Sequence, residues 1–259
     1  MNFRHRDNEM QTLLLRLAGP MQSWGVESKY DERRTLTEPN KSGVLGMIAA
    51  ALGRSRGDSL DDLLKLRFGV RVDKAGQIER DYQIVHNLND AKKSKTEEVF
   101  LSYGQAYKKN HNSSKETSTL TNRYYIADGI FLVGLESDDE VFLKSIEYAL
   151  KHPIYHMFLG RRSYPPTLPL VMGIRDFSLE EALEKEPWLV DRENQNQYDG
   201  NLRIITETKY GESYHAVQRD VPISFNPQKR MFTYRGLKEK YVKKGIDIKT
   251  EHDVFSEVE

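Results

Sequence analysis

The segment Gly160-Arg161-Arg162-Ser163 sets two guanidinium groups and a hydroxyl beside a glycine. A glycine lets a backbone approach a ligand closely, and an arginine can hold two phosphate oxygens in a fork. The competing reading is that one arginine pairs with a carboxylate at the edge of the core. Pro39-Asn40-Lys41-Ser42-Gly43 opens an apolar, periodic stretch, so its amides stand where a helix N-terminus could take a phosphate. Plain capping by Ser42 would also explain it. The spacing of a nucleotide-hydrolase phosphate loop, Gly-x4-Gly-Lys-Ser/Thr, is absent. In Gln22-Ser23-Trp24-Gly25 the indole can stack on a base or fill a gap beside a sheet. His152 and His156 have the spacing of a helical metal pair, but Pro153 interrupts the helix and no acidic zinc motif surrounds them. No metal or other cofactor is implied. Lys109 and His111 are the pair with catalytic potential, since a histidine can move protons in metal-independent RNA cleavage while a lysine stabilises charge. They lie in Tyr107-Lys108-Lys109-Asn110-His111-Asn112, which reads as a loop tip, whereas catalysis needs a held geometry.

The chain as a whole narrows these options. It has no cysteine, so disulfides, thiolate metal sites and cysteine nucleophiles are excluded. Its 39 basic residues are matched by 39 acidic ones, so any grip on nucleic acid must come from a local patch. No run approaches the roughly 18 apolar residues of a membrane helix, and residues 1–10 read as a mobile extension rather than a signal peptide. A cytoplasmic location, with no membrane partner, is the default expectation.

The elements that must position these residues follow from periodicity. Thr12-Leu13-Leu14-Leu15-Arg16-Leu17 is a buried strand ended by Ala18-Gly19-Pro20. A helix begins near residues 40–42, with Val44, Leu45, Ile48, Ala49 and Leu52 on one face and Gly53 as its stop. A short helix is predicted at 60–66. Phe68, Val70 and Val72 alternate along a strand, and Ile130-Phe131-Leu132-Val133-Gly134-Leu135 forms another. Asp138-Asp139-Glu140 opens a second helix, ended by Pro153, and a last strand falls at 168–174. Strand, helix, strand, strand, helix, strand is the order of an α+β, ferredoxin-like domain, also used by RNA-recognition domains. Arg67-Phe68-Gly69-Val70 lacks the aromatic positions of the usual sheet-face RNA motif, so that face is not expected to bind RNA.

Two departures from the minimal unit are informative. About 35 residues, 87–121, interrupt the middle of the motif, and loops beyond about 12–15 residues are uncommon unless functional or disordered. Between Tyr82 and Ala127 there are seven basic and four acidic residues, Arg123 among them, interleaved with Tyr82, Tyr103, Tyr107, Tyr124 and Tyr125. Such a mixture suits a single-stranded nucleic acid, or else a solvated hairpin. Residues 178–259 lean acidic and form a smaller extension, in which Val221-Pro222-Ile223-Ser224-Phe225 and Met231-Phe232-Thr233-Tyr234 can pair as a hairpin. The stretch from Lys238 is so charged that it is expected to fray.

Three stretches also carry a family likeness. They are Leu14-Leu15-Arg16-Leu17-Ala18-Gly19-Pro20-Met21-Gln22-Ser23-Trp24-Gly25, then Arg34-Thr35 with Glu38-Pro39-Asn40-Lys41-Ser42-Gly43-Val44-Leu45-Gly46, then Phe158-Leu159-Gly160-Arg161-Arg162-Ser163-Tyr164-Pro165-Pro166. In this order the chain resembles the CasD branch of the repeat-associated mysterious protein superfamily, found in subtype I-E CRISPR systems. Asn40, Gln83 and Tyr164 depart from that pattern. The resemblance implies a ferredoxin-like domain over 11–177, with a thumb hairpin inserted at about 87–122 and a C-terminal part over 178–259. It implies a non-catalytic subunit of the interference complex Cascade that holds the 5′ handle of the CRISPR RNA. Its thumb would meet the backbone subunit and its body the large subunit. The residues it points to for RNA are Gln22, Ser23, Trp24, Arg34, Lys41, Ser42, Gly43, Tyr82, Arg123, Gly160, Arg161, Arg162 and Ser163. A metal-independent endoribonuclease acting on the repeat RNA is the alternative.

Overall fold

The structure is a computed structural model that describes residues 10–25, 32–85, 119–226 and 228–244. Its centre is a seven-stranded sheet whose order begins from an edge with β8 (Val171–Arg175), β1 (Gln11–Ala18), β7 (Ile130–Ser137) and β4 (Arg67–Lys74). It continues through β9 (Asn201–Glu207), β11 (Met231–Lys243) and β10 (Ala216–Ser224). All neighbours are antiparallel. Since β1 and β4 both pair antiparallel with β7, they run parallel to each other. The connection between them carries α1 (Lys41–Ala51) and α2 (Asp61–Leu64). Likewise β7 reaches its parallel counterpart β8 through α3 (Glu140–Lys151).

These helices form where their caps and apolar spacing dictate. Asn40 caps α1 by accepting the Gly43 N–H at 2.9 Å, and Asp139 caps α3 by accepting the Phe142 N–H at 2.9 Å. Val44, Leu45 and Ile48 of α1 and Leu143, Ile146 and Leu150 of α3 bury against Leu13, Leu15 and Leu17 of β1. Alternation then sends Leu14 to the opposite face, where it meets Leu132, Ile204 and the helix α4 (Leu179–Lys185). The sheet is thus covered on both sides.

The covering of the second face is built into β4. Phe68 and Val70 point to the main core, while Arg67, Gly69 and Arg71 lie under α4. Gly69 and Gly134 are cross-strand partners, and a side-chain carbon at either would come within 2.9 Å or 2.6 Å of Leu183 or Leu179. The glycines therefore let α4 lie close on the sheet. Arg67 holds its first turn through Glu180 and Glu136, and Glu136 also accepts the Leu179 N–H at 2.7 Å. Arg71, fully buried, donates to the Leu183 and Glu186 carbonyls at 2.6 Å each and binds Asp73. A buried, fully bonded guanidinium of this kind costs about 3–5 kcal/mol to break on one side. The face that an RNA-recognition domain leaves open is closed here, as the missing aromatic pattern on β4 implied.

A smaller sheet stands off the end of the first. It contains β2 (Met21–Gln22), β3 (Glu32–Arg33), β5 (Gln77–Val85) and β6 (Thr119–Ala127), with β6 paired to the other three. The β5–β6 hairpin is the stem from which the long insertion departs, and of the expected span 87–122 only 119–122 lie among the described residues. Lys109, His111 and His86 lie outside them.

Residues after Phe177 extend the main sheet by three strands, so they are continuous with it. The predicted hairpin is there, in longer form, as β10 and β11. The expectation that the chain frays from Lys238 is corrected, since 238–243 pairs with β9 over its whole length. Its charges are matched: Lys238 with Glu212, Glu239 with Arg203, Lys240 with Glu184. A second short helix, α5 (Arg192–Gln195), follows α4.

Candidate nucleic-acid interface

The three sequence stretches singled out for chemistry meet at the base of the β5–β6 hairpin. Gly160 has φ +86°, and a side-chain carbon there would lie 1.7 Å from the Ser23 carbonyl oxygen. Only glycine lets the 158–164 loop close onto 21–24. The Ser23 N–H donates to the Leu159 carbonyl at 3.0 Å, and its hydroxyl to the Tyr124 carbonyl at 3.3 Å. Arg161 donates to that same carbonyl at 3.0 Å and to the Tyr164 hydroxyl at 3.0 Å, with its guanidinium 5.5 Å from the Tyr164 ring centre. On the other side, Trp24 packs beneath Gly43, where an added carbon would stand 2.8 Å from the indole. One strand, β6, therefore receives the loop and β2, and β2 leads into the start of α1.

Several residues expected to touch RNA are instead the frame. Gln22, Ser23 and Trp24 are 0%, 5% and 1% exposed, so none offers a face to a ligand. Gln22 donates to the Gly129 carbonyl at 2.8 Å and accepts from the Trp24 indole at 3.2 Å, which fixes the strand turn. Trp24 fills the gap beside the sheet, the second of the two uses open to it. Lys41 is enclosed as well. It is 2% exposed, and its ammonium donates to both Glu207 oxygens at 3.0 and 2.7 Å. Its backbone N–H, an amide that could have bound phosphate, goes to Asp220 Oδ2 at 2.9 Å. Asp220 is in turn forked by Arg235 at 2.7 and 2.8 Å. The anion site of the helix N-terminus is thus filled by the chain's own carboxylate. Burial pulls the Lys41 ammonium below the ordinary lysine range, with Glu207 opposing it. Gly43 gives its N–H to Asn40, while Ser42 stays half-buried.

What remains outward is a compact set. Arg162 and Ser163 are exposed at the turn. Arg33 is exposed on β3 and is the register partner of Arg123 on β6. Arg123 Nε is buried with no hydrogen-bond partner among the described residues. Two residues along the same face, Tyr125 lies 6.0 Å ring to ring from Tyr164, beside Arg161. Tyr82 does not join this group. Its partner is Asn122 whereas Asp81 faces Arg123, so alternation puts Tyr82 on the other side of the hairpin, 50% exposed. Arg34 is exposed and forked by Glu32 at 3.2 Å, which raises its proton affinity through that hydrogen bond. Arg33 is the exposed member sequence reasoning did not select, while the Tyr125–Tyr164 contact belongs to the frame, Tyr164 being 5% exposed. The alternation of β6 after Arg123 was the available signal for Tyr125.

Neither histidine of the 152/156 pair is held as a metal ligand would be. His152 Nδ1 is 3.1 Å from the Tyr148 carbonyl and its ring stacks on Tyr148, which makes it the end of α3. Among the described residues no group of three or more metal-binding side chains occurs. No helix among them is long and apolar enough to cross a membrane.

A family model described as CRISPR-associated protein (Cas_Cas5) matches residues 12–237. The chain belongs to the Cas5 family. Over 168 residues it is 34% identical to the CRISPR system Cascade subunit CasD of Escherichia coli (strain K12), covering 62% of this chain and 70% of that one. A solved structure of a CRISPR RNA-guided surveillance complex superposes with a TM-score of 0.66 at 31% identity, over 90% of both chains. A crystal structure of a Cas protein gives 0.63 at 34% identity, over 90% of this chain and 95% of the other. The CasD-type resemblance of the three sequence stretches is thereby upheld.

Proposed function

We propose that this Cas5-family chain is the Cascade subunit that holds the 5′ handle of a CRISPR RNA, without cutting it. The observation that carries this reading is the convergence of the three family-like stretches: 34–43 meets Trp24 and Gly25, and both Ser23 and Arg161 bond the Tyr124 carbonyl on β6. Most of each stretch is consumed as frame, while Arg162 and Ser163 stay exposed at the turn and Arg33 stays exposed opposite Arg123. Arginines on a rigid, buried frame hold phosphates at low entropic cost.

The fold supports the same reading. The β8-β1-β7-β4 order with two parallel crossovers supports a ferredoxin-like reading, and α4 covers the face such domains otherwise use for RNA. The RNA therefore runs at the hairpin base and not across the sheet. The outer side of the hairpin stem, with Ile78, Tyr82 and Ile84 each about half exposed, is the thumb surface for the backbone subunit. The body faces the large subunit, and the assembly works in the cytoplasm. With zero net charge, the isolated chain binds RNA weakly and with strong salt dependence.

The test is to mix the purified chain with labelled repeat RNA, with and without chelator, and read binding and cleavage together. Binding of the handle with no product is the expected result. A single metal-independent cut, lost in His111→Ala, would replace this reading with that of a guide-processing endoribonuclease.

A further inference from the structure

On the other flank of the hairpin base lies a cleft of about 650 Å³ that the RNA reading does not use. It is walled by the first residues of β5, the end of β4, the start of β9 and the segment after α4. A volume of that order suits a side chain or small ligand, where a flat protein surface would not. Two aromatic walls define it. Trp188 and Tyr198 stand with ring centres 6.2 Å apart and planes at 72°, forming a corner. The indole is fixed from behind, its N–H donating to the Asp73 carbonyl at 3.0 Å.

The charges around this corner decide what can enter. Glu38, Asp73, Asp128 and Asp199 line the cleft against two cations, Lys74 and Arg203, and Asp73 is already paired with the buried Arg71. Arg203 is shared, since it bonds Glu38 at 3.4 Å and also Glu239 at 3.0 Å. Lys74 is taken by Asp128 and lies beside the Tyr198 hydroxyl, and among the described residues Asp199 accepts the Asn201 backbone N–H at 2.9 Å. Four carboxylates therefore share two cations, which leaves the cleft net negative. A phosphate would be repelled, while a cation set against this aromatic corner would gain both Coulomb and cation–π attraction.

We infer that this cleft is a protein-docking site that receives an arginine or lysine side chain from a neighbouring protein. The two flanks of the hairpin base then divide their partners by charge, nucleic acid on the arginine side and a basic protein segment on the acidic side. The inference does not depend on the RNA reading and stands or falls separately.

The chain supplies its own reporter. Of its two tryptophans, Trp24 is 1% exposed, so a change in emission belongs to Trp188. The full chain is titrated with the blocked peptide Gly-Arg-Gly-Arg-Gly, with the same peptide carrying glutamate, and with repeat RNA. A saturable emission shift with the arginine peptide alone is expected, absent in Trp188→Phe. Binding should weaken about tenfold in Asp199→Lys and measurably in Asp128→Asn, both exposed positions, at an unchanged urea midpoint. No saturable shift at millimolar arginine peptide would overturn the inference, as would an equal shift with the glutamate peptide. An RNA-induced shift that the arginine peptide competes away would overturn it too, by making the cleft a nucleic-acid subsite.

Discussion

The start of α1 and the turn at 160–163 carry the same kind of sequence signal, yet the structure uses them in opposite ways. Each sets a cation, a hydroxyl and a glycine together, as a phosphate-binding site would. At α1 the cation is driven inward, onto Glu207, and the free amide is given to Asp220. At the turn, Arg161 is likewise consumed by the Tyr124 carbonyl and Tyr164, but Arg162 and Ser163 stay outside. The difference lies in what arrives from elsewhere in the chain. Glu207, Asp220 and Arg235 come from strands over 160 residues downstream of Lys41 and fill the helix N-terminus, whereas among the described residues Arg162 stays exposed. A phosphate-like motif becomes a ligand site only where the fold brings no internal anion to it.

The sharpest way to break this comparison is to remove the buried cation. Lys41→Met should destabilise the chain by about 3 kcal/mol, because the part-buried Glu207 loses its cation and keeps only the Phe68 N–H, with RNA binding per folded molecule unchanged. A urea midpoint and an RNA titration on the same sample check both halves. Loss of RNA binding at unchanged stability would return Lys41 to the interface. Gly160→Ala comes next. A positive φ and a carbonyl 1.7 Å from the new carbon should cost about 1–3 kcal/mol and displace the loop. Stability and RNA affinity should therefore fall together, and an affinity loss alone would place Gly160 against the ligand instead. Arg162→Glu should do the reverse of Lys41→Met. RNA affinity should fall about tenfold, or about 1.4 kcal/mol, and the salt dependence should become shallower by about one phosphate contact. The urea midpoint should not move.

The same contrast explains what could be read from the sequence. β1, α1, β4, β7 and α3 declared themselves because each carries its own period and stop signals, from Leu13-Leu14-Leu15 to the Asp139 cap. The role of α4 did not, since it rests on Gly69 pairing with Gly134 and on Arg67 and Arg71 reaching over 110 residues ahead. Lys238–Lys243 looked like a solvated tail because its neutralising partners, Glu184, Arg203 and Glu212, lie on three other segments. At the site, the residue types were legible but not their direction. Gln22, Ser23 and Trp24 are polar or aromatic beside a glycine, and only the arrival of Gly43 and Gly160 shows that they are covered. The acidic cleft was invisible for the same reason, its walls being drawn from several separated stretches.

The smallest expected effect concerns the carboxylates that hold these distant segments together. Burial alone would raise the Glu180 carboxyl, but the hydrogen bonds and charge of Arg67, with a backbone N–H and the charge of Lys240, together hold the group below its ordinary value. Glu239 is lowered chiefly by the hydrogen bond from Arg203, and Asp62 by that from Arg54. In each case the folded chain holds its proton more weakly than the unfolded chain does. The stability these groups contribute is therefore complete above the ordinary carboxylate values and is lost as pH falls through the lowered folded ones. The urea midpoint should be level from pH 7 to about pH 5 and decline below about pH 4.5. Part of that decline should vanish in Glu180→Gln, since the neutral amide has no proton to take up. If the acid limb is unchanged in Glu180→Gln, the clamp of Arg67 on α4 carries no net stability. The closure of the sheet face would then rest on Leu179 and Leu183 packing over the paired glycines alone.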